Sequence, residues 1–141
     1  MISNDQVTVT TIVDADPKTA FHLFTREIDL WWKRGPRYRN RDGILRFDAG
    51  RLLEAEEQIG KVLAWDPGSR LLLEMWTWSF RAGERTQVEV CFEPVAKGTR
   101  VTIEHRGWSP RGGAEFRTTV GLWWGDLLPA INKLAASRSE F

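Results

Sequence analysis

The sequence predicts an α+β domain in which a curved antiparallel sheet of about seven strands wraps around a long C-terminal helix. Three observations support this class: strand-length segments with one apolar face fill the middle of the chain, an amphipathic helix follows them, and a helix start follows the first strand. Helices at both ends and strands between them distinguish α+β from alternating α/β order. The 141 residues suit one domain, predicted to span 1–141.

The first strand and two short helices come from residues 6 to about 34. Residues 6–14 alternate β-branched residues between two faces, which is typical of a strand. Asp16 then offers a helix cap and Pro17 a first helical residue. One apolar helical face follows, made of Phe21, Phe24, Ile28 and Trp31. We expect a break near residues 25–27 and an end at Gly35-Pro36.

The middle of the chain predicts a strand meander. Turn signals recur about every 15 residues, at Asp48-Ala49-Gly50, Asp66-Pro67-Gly68, Ala82-Gly83 and Lys97-Gly98. Two strands have a clear apolar face, formed by Val88, Val90 and Phe92 in one and by Val101, Ile103 and His105 in the next. A sheet with one apolar and one polar face is antiparallel and needs a cover.

The C-terminal segment supplies that cover. Apolar residues recur at helical spacing, namely Phe116, Val120, Trp124, Leu127, Ile131 and Leu134. Pro129 lies inside this helix and predicts a kink. A curved sheet and a straight helix diverge, so we expect a ligand cavity between them.

Charge is nearly balanced along the whole chain but not locally. The net charge is +1, from 20 basic and 19 acidic residues, which disfavours a protein that coats nucleic acid. Residues 33–41 nevertheless hold five basic groups and no acid, leaving 15 basic and 19 acidic residues, or −4, elsewhere. This basic segment is either a solvated charge run, an anion clamp at the cavity entrance using Arg37 and Arg39, or a contact for nucleic acid or an acidic protein.

Several classes of site have no signature. The single cysteine, Cys91, allows no internal disulfide and no thiolate metal cluster, and no metal or cofactor is predicted. Zinc-protease, CxxC, GxSxG and P-loop patterns do not occur, so no catalytic residue is assigned. No signal-peptide pattern and no long uncharged apolar run occur, so we expect a cytoplasmic protein without membrane insertion.

Three runs of sequence resemble one known family. They are GKVLAWDPGSRLLLEMW (60–76), TQVEVCFEPVAKGTRVTIEHRGW (86–108) and GLWWGDLLPAINKLA (121–135), and the pair Trp31-Trp32 also fits. The chain resembles, over roughly residues 5–136, the branch of the START/birch-pollen-allergen superfamily named after the activator of heat-shock protein 90 ATPase. The resemblance implies the helix-grip fold, with a cavity between the sheet and the long helix. It implies no catalytic residue, because the superfamily contains lipid carriers, receptors, cyclase-like enzymes and a co-chaperone.

The candidate binding residues are those expected to face this cavity or its entrance. Eight tryptophans are more than a single core usually needs, which favours a flat aromatic or polycyclic ligand or a lipid tail, although packing alone explains many of them. The predicted ligand-binding residues are Trp124, Leu127, Phe116, His105, Val90, Phe92, Trp76, Trp78, Arg37 and Arg39. The face on which Trp76 and Trp78 lie stays open, because residues 70–80 are apolar on both faces. Glu74 shares that ambiguity, whereas Glu54, Glu56 and Glu57 are interpreted as solvated.

Three functions follow from these features. The first is binding of a small hydrophobic or aromatic molecule, with or without an acidic head group, by a monomer or homodimer. The second is a co-chaperone-like module acting on a chaperone ATPase. The third is a cyclase- or hydrolase-type enzyme using His105, whose alternative role is that of a hydrogen-bonded core histidine.

Overall fold

The structure is a computed structural model that describes residues 6–32, 44–76, 85–107 and 113–139, with side chains from 118 to 137 in the last range. The strands are β1 (Gln6–Val13), β2 (Leu45–Asp48), β3 (Arg51–Glu54), β4 (Glu57–Asp66), β5 (Arg70–Met75), β6 (Thr86–Val95) and β7 (Gly98–Arg106). The helices are α1 (Pro17–Phe24), a 3₁₀ turn (Ile28–Leu30) and α2 (Gly113–Ser139).

The seven strands form one antiparallel sheet in the order β1-β7-β6-β5-β4-β3-β2. This confirms the predicted fold class. The strands β1 and β2 lie at opposite edges, so the segment that contains α1 and the 3₁₀ turn crosses from one edge to the other. One face of the sheet is therefore covered by short helices and by α2.

The start of α1 follows from its capping residues. Asp16 Oδ1 accepts a hydrogen bond from the Thr19 amide at 2.7 Å, and Pro17 occupies the first turn. The same backbone hydrogen bond lowers the pKa of the Asp16 carboxyl. Helix α1 ends at Phe24 and the 3₁₀ turn begins at Ile28, which confirms the predicted break.

Strand alternation decides which residues reach the core. The predicted apolar faces of β6 and β7 are buried, while their neighbours on each strand are more exposed. The stripe on α2 is buried as well, at Val120, Trp124, Leu127 and Ile131. Both predictions are confirmed, and together they place the core between β5 to β7, α1 and α2.

Gly98 begins β7 at a point where the chain passes very close to the segment after β1. Its φ is +137°, and a Cβ atom there would lie 2.1 Å from the carbonyl oxygen of Val13. The adjacent Thr99 hydroxyl donates to the Ala15 carbonyl at 2.7 Å. These contacts fix the start of α1 against the sheet, and only glycine fits the close approach.

The opposite face of the sheet, called the outer face below, carries a network of charged side chains. Arg106 Nη1 donates to Glu89 Oε1 at 3.2 Å and to Glu104 Oε1 at 2.9 Å. Arg70 also donates to Glu89, and this hydrogen bond lowers the pKa of the Glu89 carboxyl. Cys91 lies exposed on this face, where desolvation of its thiol by neighbouring groups, followed by the charge of Glu89, raises the pKa of the thiol.

Candidate functional site between the sheet and the C-terminal helix

The described residues enclose a small apolar cavity between the sheet and α2, called the core cavity below. Its volume is about 20 Å³, which is room for roughly one water molecule. The lining comes from the short helices, from β5 and β6 and from α2, and consists of Phe24, Ile28, Trp31, Trp32, Leu71, Leu73, Met75, Val88, Val90 and Trp124. The expected ligand cavity is not confirmed, because this space is too small for a drug-sized ligand.

Trp124 and His105 form a hydrogen-bonded pair beside this cavity. The indole Nε1 of Trp124 donates to Nδ1 of His105 at 3.2 Å, and Nε2 of His105 lies 2.9 Å from the Thr86 hydroxyl. Because an indole N–H only donates, Nδ1 accepts and Nε2 carries the imidazole proton. The Thr86 oxygen therefore accepts from His105, and each ring nitrogen has a partner within the core.

Burial makes His105 a neutral residue across the physiological range. Its exposed fraction is 0%. Burial disfavours the imidazolium and lowers the pKa of His105 to about 3. The histidine does face α2, as its position on β7 predicts. Its contacts are those of a core histidine that accepts from an indole at Nδ1 and donates its Nε2 proton to Thr86, rather than those of a general base near neutral pH.

Two further tryptophans approach the cavity from the short-helix side. Trp31 is 3% exposed and Trp32 is 6% exposed, so both belong to the core. The indole of Trp31 donates to the Leu23 carbonyl at 2.6 Å. Its ring also packs on Phe24 and on Trp32, with centroid distances of 5.3 and 5.6 Å. Only one of the pair was expected to be core from its helical spacing.

Apart from Trp76, the remaining predicted binding residues divide into three groups. Val90 lines the core cavity. Leu127 and Phe92 are buried in the same core, and Phe92 packs on the phenylalanines of α1. Other predictions concern residues outside the described part of the chain, namely Arg37, Arg39, Trp78 and the side chain of Phe116.

Trp76 requires a correction. The inward positions of β5 are Leu71, Leu73 and Met75, so the alternation puts Trp76 on the outer face. Arg85 lies over its ring, 4.6 Å from the centroid, and donates to Glu74 at 3.0 Å. The expectation that Trp76 lines the cavity is wrong, since it forms a cation–π contact on the other side of the sheet.

Glu54 is a buried carboxylate that sequence reasoning missed. It was interpreted as solvated, yet it is 2% exposed. A register shift between Leu52 and Leu53 interrupts the alternation of β3, so three successive residues from Leu52 to Glu54 are buried. The unpaired residue at this shift is Ile59 of β4, so the neighbouring Gly60 is the sign of a bulge that the sequence offers.

The sequence of the chain matches one known protein family. The sequence profile described as "Activator of Hsp90 ATPase homolog 1-like protein" matches residues 14–134. The chain belongs to this family. The match includes α1, β2 to β7 and most of α2, so the activator-homologue family accounts for every element that surrounds the core cavity.

Solved structures share the fold at low sequence identity. A protein of Nitrosomonas europaea matches with a TM-score of 0.69 and 12% identity, covering 100% of both chains. An HSP90 activator from Plasmodium falciparum matches with a TM-score of 0.68 and 15% identity over 92% of this chain and 95% of that one. CalU16 from Micromonospora echinospora matches with a TM-score of 0.66 and 17% identity, covering 92% and 73%. Comparison with curated proteins gives no significant match.

Two further features of the described residues concern metal binding and membrane insertion. In the ranges given above, no three or more His, Cys, Asp and Glu side chains come together in a way that could hold a metal ion. Within the same ranges no helix combines the length and the apolar character needed to cross a bilayer.

Proposed function

We propose that the protein binds a small, flat and largely apolar molecule between the sheet and α2. The observation that supports this best is the convergence of Trp31, Trp32 and Trp124 on one enclosed apolar cavity. Three indoles brought together from two separate parts of the chain provide large ring surfaces with few rotatable bonds. Such surfaces suit an aromatic or polycyclic ligand better than a strongly polar one.

The hydrogen bonds around the cavity narrow the chemistry of the ligand. The indole N–H groups of Trp31 and Trp124 donate to Leu23 and His105 rather than into the cavity. The ligand would therefore be held by ring faces and aliphatic side chains, and recognised by its shape. An acidic head group stays part of the proposal through Arg37 and Arg39 at the predicted entrance, where Trp78 and Phe116 also remain predicted contacts.

A ligand of one or two rings needs more space than the 20 Å³ of the core cavity. Binding therefore requires side chains around the cavity to move. Met75 is the most adaptable of them, because its unbranched side chain has three rotatable bonds and fits irregular gaps. The proposal thus includes a repacked, ligand-bound conformation that the ligand stabilises.

Naphthalene is a suitable probe, with native mass spectrometry and thermal unfolding as the two readouts. The decisive variants are Leu73→Phe, which fills the cavity, and Leu72→Phe, which adds the same ring to the outer face of the same strand. We expect bound naphthalene and a raised Tm for the wild type and Leu72→Phe, and neither for Leu73→Phe. Equal binding by both variants would contradict a site in the core cavity.

A second, milder variant keeps the test valid if Leu73→Phe does not fold. Filling a packed core with a phenylalanine costs about 1–3 kcal/mol, so Leu73→Phe could lose the native state altogether. Val90→Leu adds a single methylene to the cavity wall. It should fold and bind naphthalene more weakly than the wild type, whereas unchanged affinity would count against the proposal.

A co-chaperone-like role is the second candidate, and the small free volume of the core favours it. A module that acts by protein contact needs no internal cavity. The fold is also that of the P. falciparum HSP90 activator. Stimulation of a chaperone ATPase that persists in Leu73→Phe would support this role, and no stimulation by the wild type would exclude it for the chaperone tested.

A further inference from the structure

A second concavity lies on the side of the sheet that the short helices cover, apart from the core cavity, and is called the edge notch below. It has a volume of about 260 Å³ and lies between the end of α1 and strands β2 to β4. Its walls include Arg26, Phe47, Asp48, Gly50, Val62 and Trp65. Phe21 and Phe92 lie between it and the core cavity, since Trp65 contacts Phe21, Phe21 contacts Phe92, and Phe92 contacts Phe24 of the cavity wall.

Arg26 gives the edge notch a cation that is not neutralised locally. Its guanidinium lies over the Trp65 ring, 5.5 Å from the centroid. Within the described ranges no carboxylate comes within ion-pairing distance of it. Stacking on an indole holds a guanidinium in place while leaving its edge of N–H donors available to an anion.

Trp65 is itself held by two neighbouring rings. Phe21 packs on it edge-on, with centroids 5.2 Å apart and planes at 90°, and Phe47 does so from another side at 5.5 Å and 67°. Trp65 and Phe47 are only partly buried, so both still present ring surface to the notch. A rigid aromatic wall beside a positioned arginine suits a ligand that combines a ring with an anion.

Asp48, the acidic residue at the rim of the notch, does not remove the preference of Arg26 for an anionic ligand. Asp48 lies 3.2 Å from Arg51 and 3.6 Å from Arg46, so two arginines share its charge. Arg46 also lies 3.9 Å from Glu56. The charge of Asp48 is therefore balanced by Arg46 and Arg51 rather than by Arg26.

We propose that the edge notch is a binding site for a small aromatic carboxylate. The carboxylate pairs with the Arg26 guanidinium, and the ring packs against Phe47, Val62 and the edge of Trp65. The volume limits the ligand to about one ring with a short substituent, because typical pockets for drug-sized molecules begin near 300 Å³. This site is independent of the proposed ligand of the core cavity.

The test uses benzoate as the probe and benzamide as its neutral counterpart. The readout is the indole N–H resonance of Trp65 in a two-dimensional nitrogen-proton NMR spectrum, assigned with Trp65→Phe. We expect saturable shifts with benzoate and weaker binding of benzamide. Arg26→Gln should weaken benzoate about tenfold and remove the preference over benzamide, while Arg26→Lys should lose only part of it.

Arg100→Gln is the matched control, because it removes the same charge from an exposed residue of the outer face that pairs with Glu93. It should leave benzoate affinity within about twofold, because Arg100 does not line the notch and its exposed charge is screened by salt. The proposal is overturned if Arg26→Gln and Arg100→Gln weaken benzoate equally. It is overturned as well if benzoate shifts the Trp124 resonance and not that of Trp65, which would assign benzoate to the core cavity.

Discussion

The two faces of the sheet use the same residue types in opposite ways. On the core side, Trp124 donates its indole N–H to a neutral, fully buried histidine. On the outer face, Trp76 lies under the Arg85 guanidinium, among ion pairs. The difference shows that the strand face, rather than the residue type, decides whether a tryptophan lies in the core or carries a surface charge contact.

Truncating one tryptophan on each face should give the largest difference in the free energy of unfolding between the two faces. Trp124→Ala removes a fully buried ring and leaves Nδ1 of His105 without its donor, so we expect a loss of at least ~3–5 kcal/mol in the free energy of unfolding. Trp76→Ala removes a partly buried ring and one cation–π contact, at a cost of about 1 kcal/mol. Urea unfolding measures both, and equal losses would contradict the assignment of faces.

The pH dependence of stability tests whether His105 is neutral in the folded protein. The pKa of His105 is about 3 in the folded protein, below an unfolded value near 6.5. The unfolded state therefore binds an extra proton below pH 6.5, so stability falls as pH falls from 6.5 towards 3, by at most about 1.4 kcal/mol per pH unit from this group.

The variant His105→Gln lacks this titration. Its stability should fall less steeply than that of the wild type between pH 6.5 and 5, as measured by urea unfolding at each pH. Parallel curves for the two proteins would show that His105 is not held neutral.

Thr86→Val tests the contribution of the buried hydrogen bond between His105 and Thr86 to stability. The two side chains have similar shapes, but valine leaves the Nε2–H of His105 without its acceptor oxygen. An unsatisfied buried donor costs about 1–3 kcal/mol, so the variant should be destabilised by that amount. As a control, Thr102→Val on the outer face of β7 should change stability by less than about 0.5 kcal/mol. Equal effects would remove the special role of the Thr86 hydroxyl.

The outer ion pairs should give the smallest effects. Arg100 and Glu93 are both exposed, with side chains that are 45% and 66% accessible. Arg100→Ala should therefore change the free energy of unfolding by about 0–1 kcal/mol, and raising the salt concentration should reduce the difference further. A loss comparable to that of Trp124→Ala would mean that the outer face contributes to stability in a way that pairwise charges do not explain.

Clear periodicity made most of this fold predictable. The alternation of β6 and β7 and the stripe of α2 each indicate one buried face, so the core could be derived from spacing alone. Strand β5 gave no such signal, because Leu71, Leu72 and Leu73 are apolar on both faces. The face of Trp76 therefore stayed open, and including it among the cavity residues was wrong. The burial of Glu54 was missed because it accompanies a register shift whose sequence signal, Gly60, lies on the neighbouring strand β4.

The size of the core cavity was the least predictable property of the candidate site. Sequence spacing indicates which side chains face each other, but free volume depends on how closely rings such as Trp31, Trp32 and Trp124 pack. The edge notch was missed for a related reason. Arg26 and Trp65 are distant in sequence, and only the folded chain brings the turn after α1 next to β4.

A naphthalene titration followed by the indole N–H resonances of the tryptophans tests the central claim most directly. Binding between the sheet and α2 should shift the resonances of Trp31, Trp32 and Trp124 in a saturable manner and leave that of Trp76 unchanged. Shifts confined to Trp76, or no saturable shift at any of the three core tryptophans, would contradict a ligand site in the core cavity.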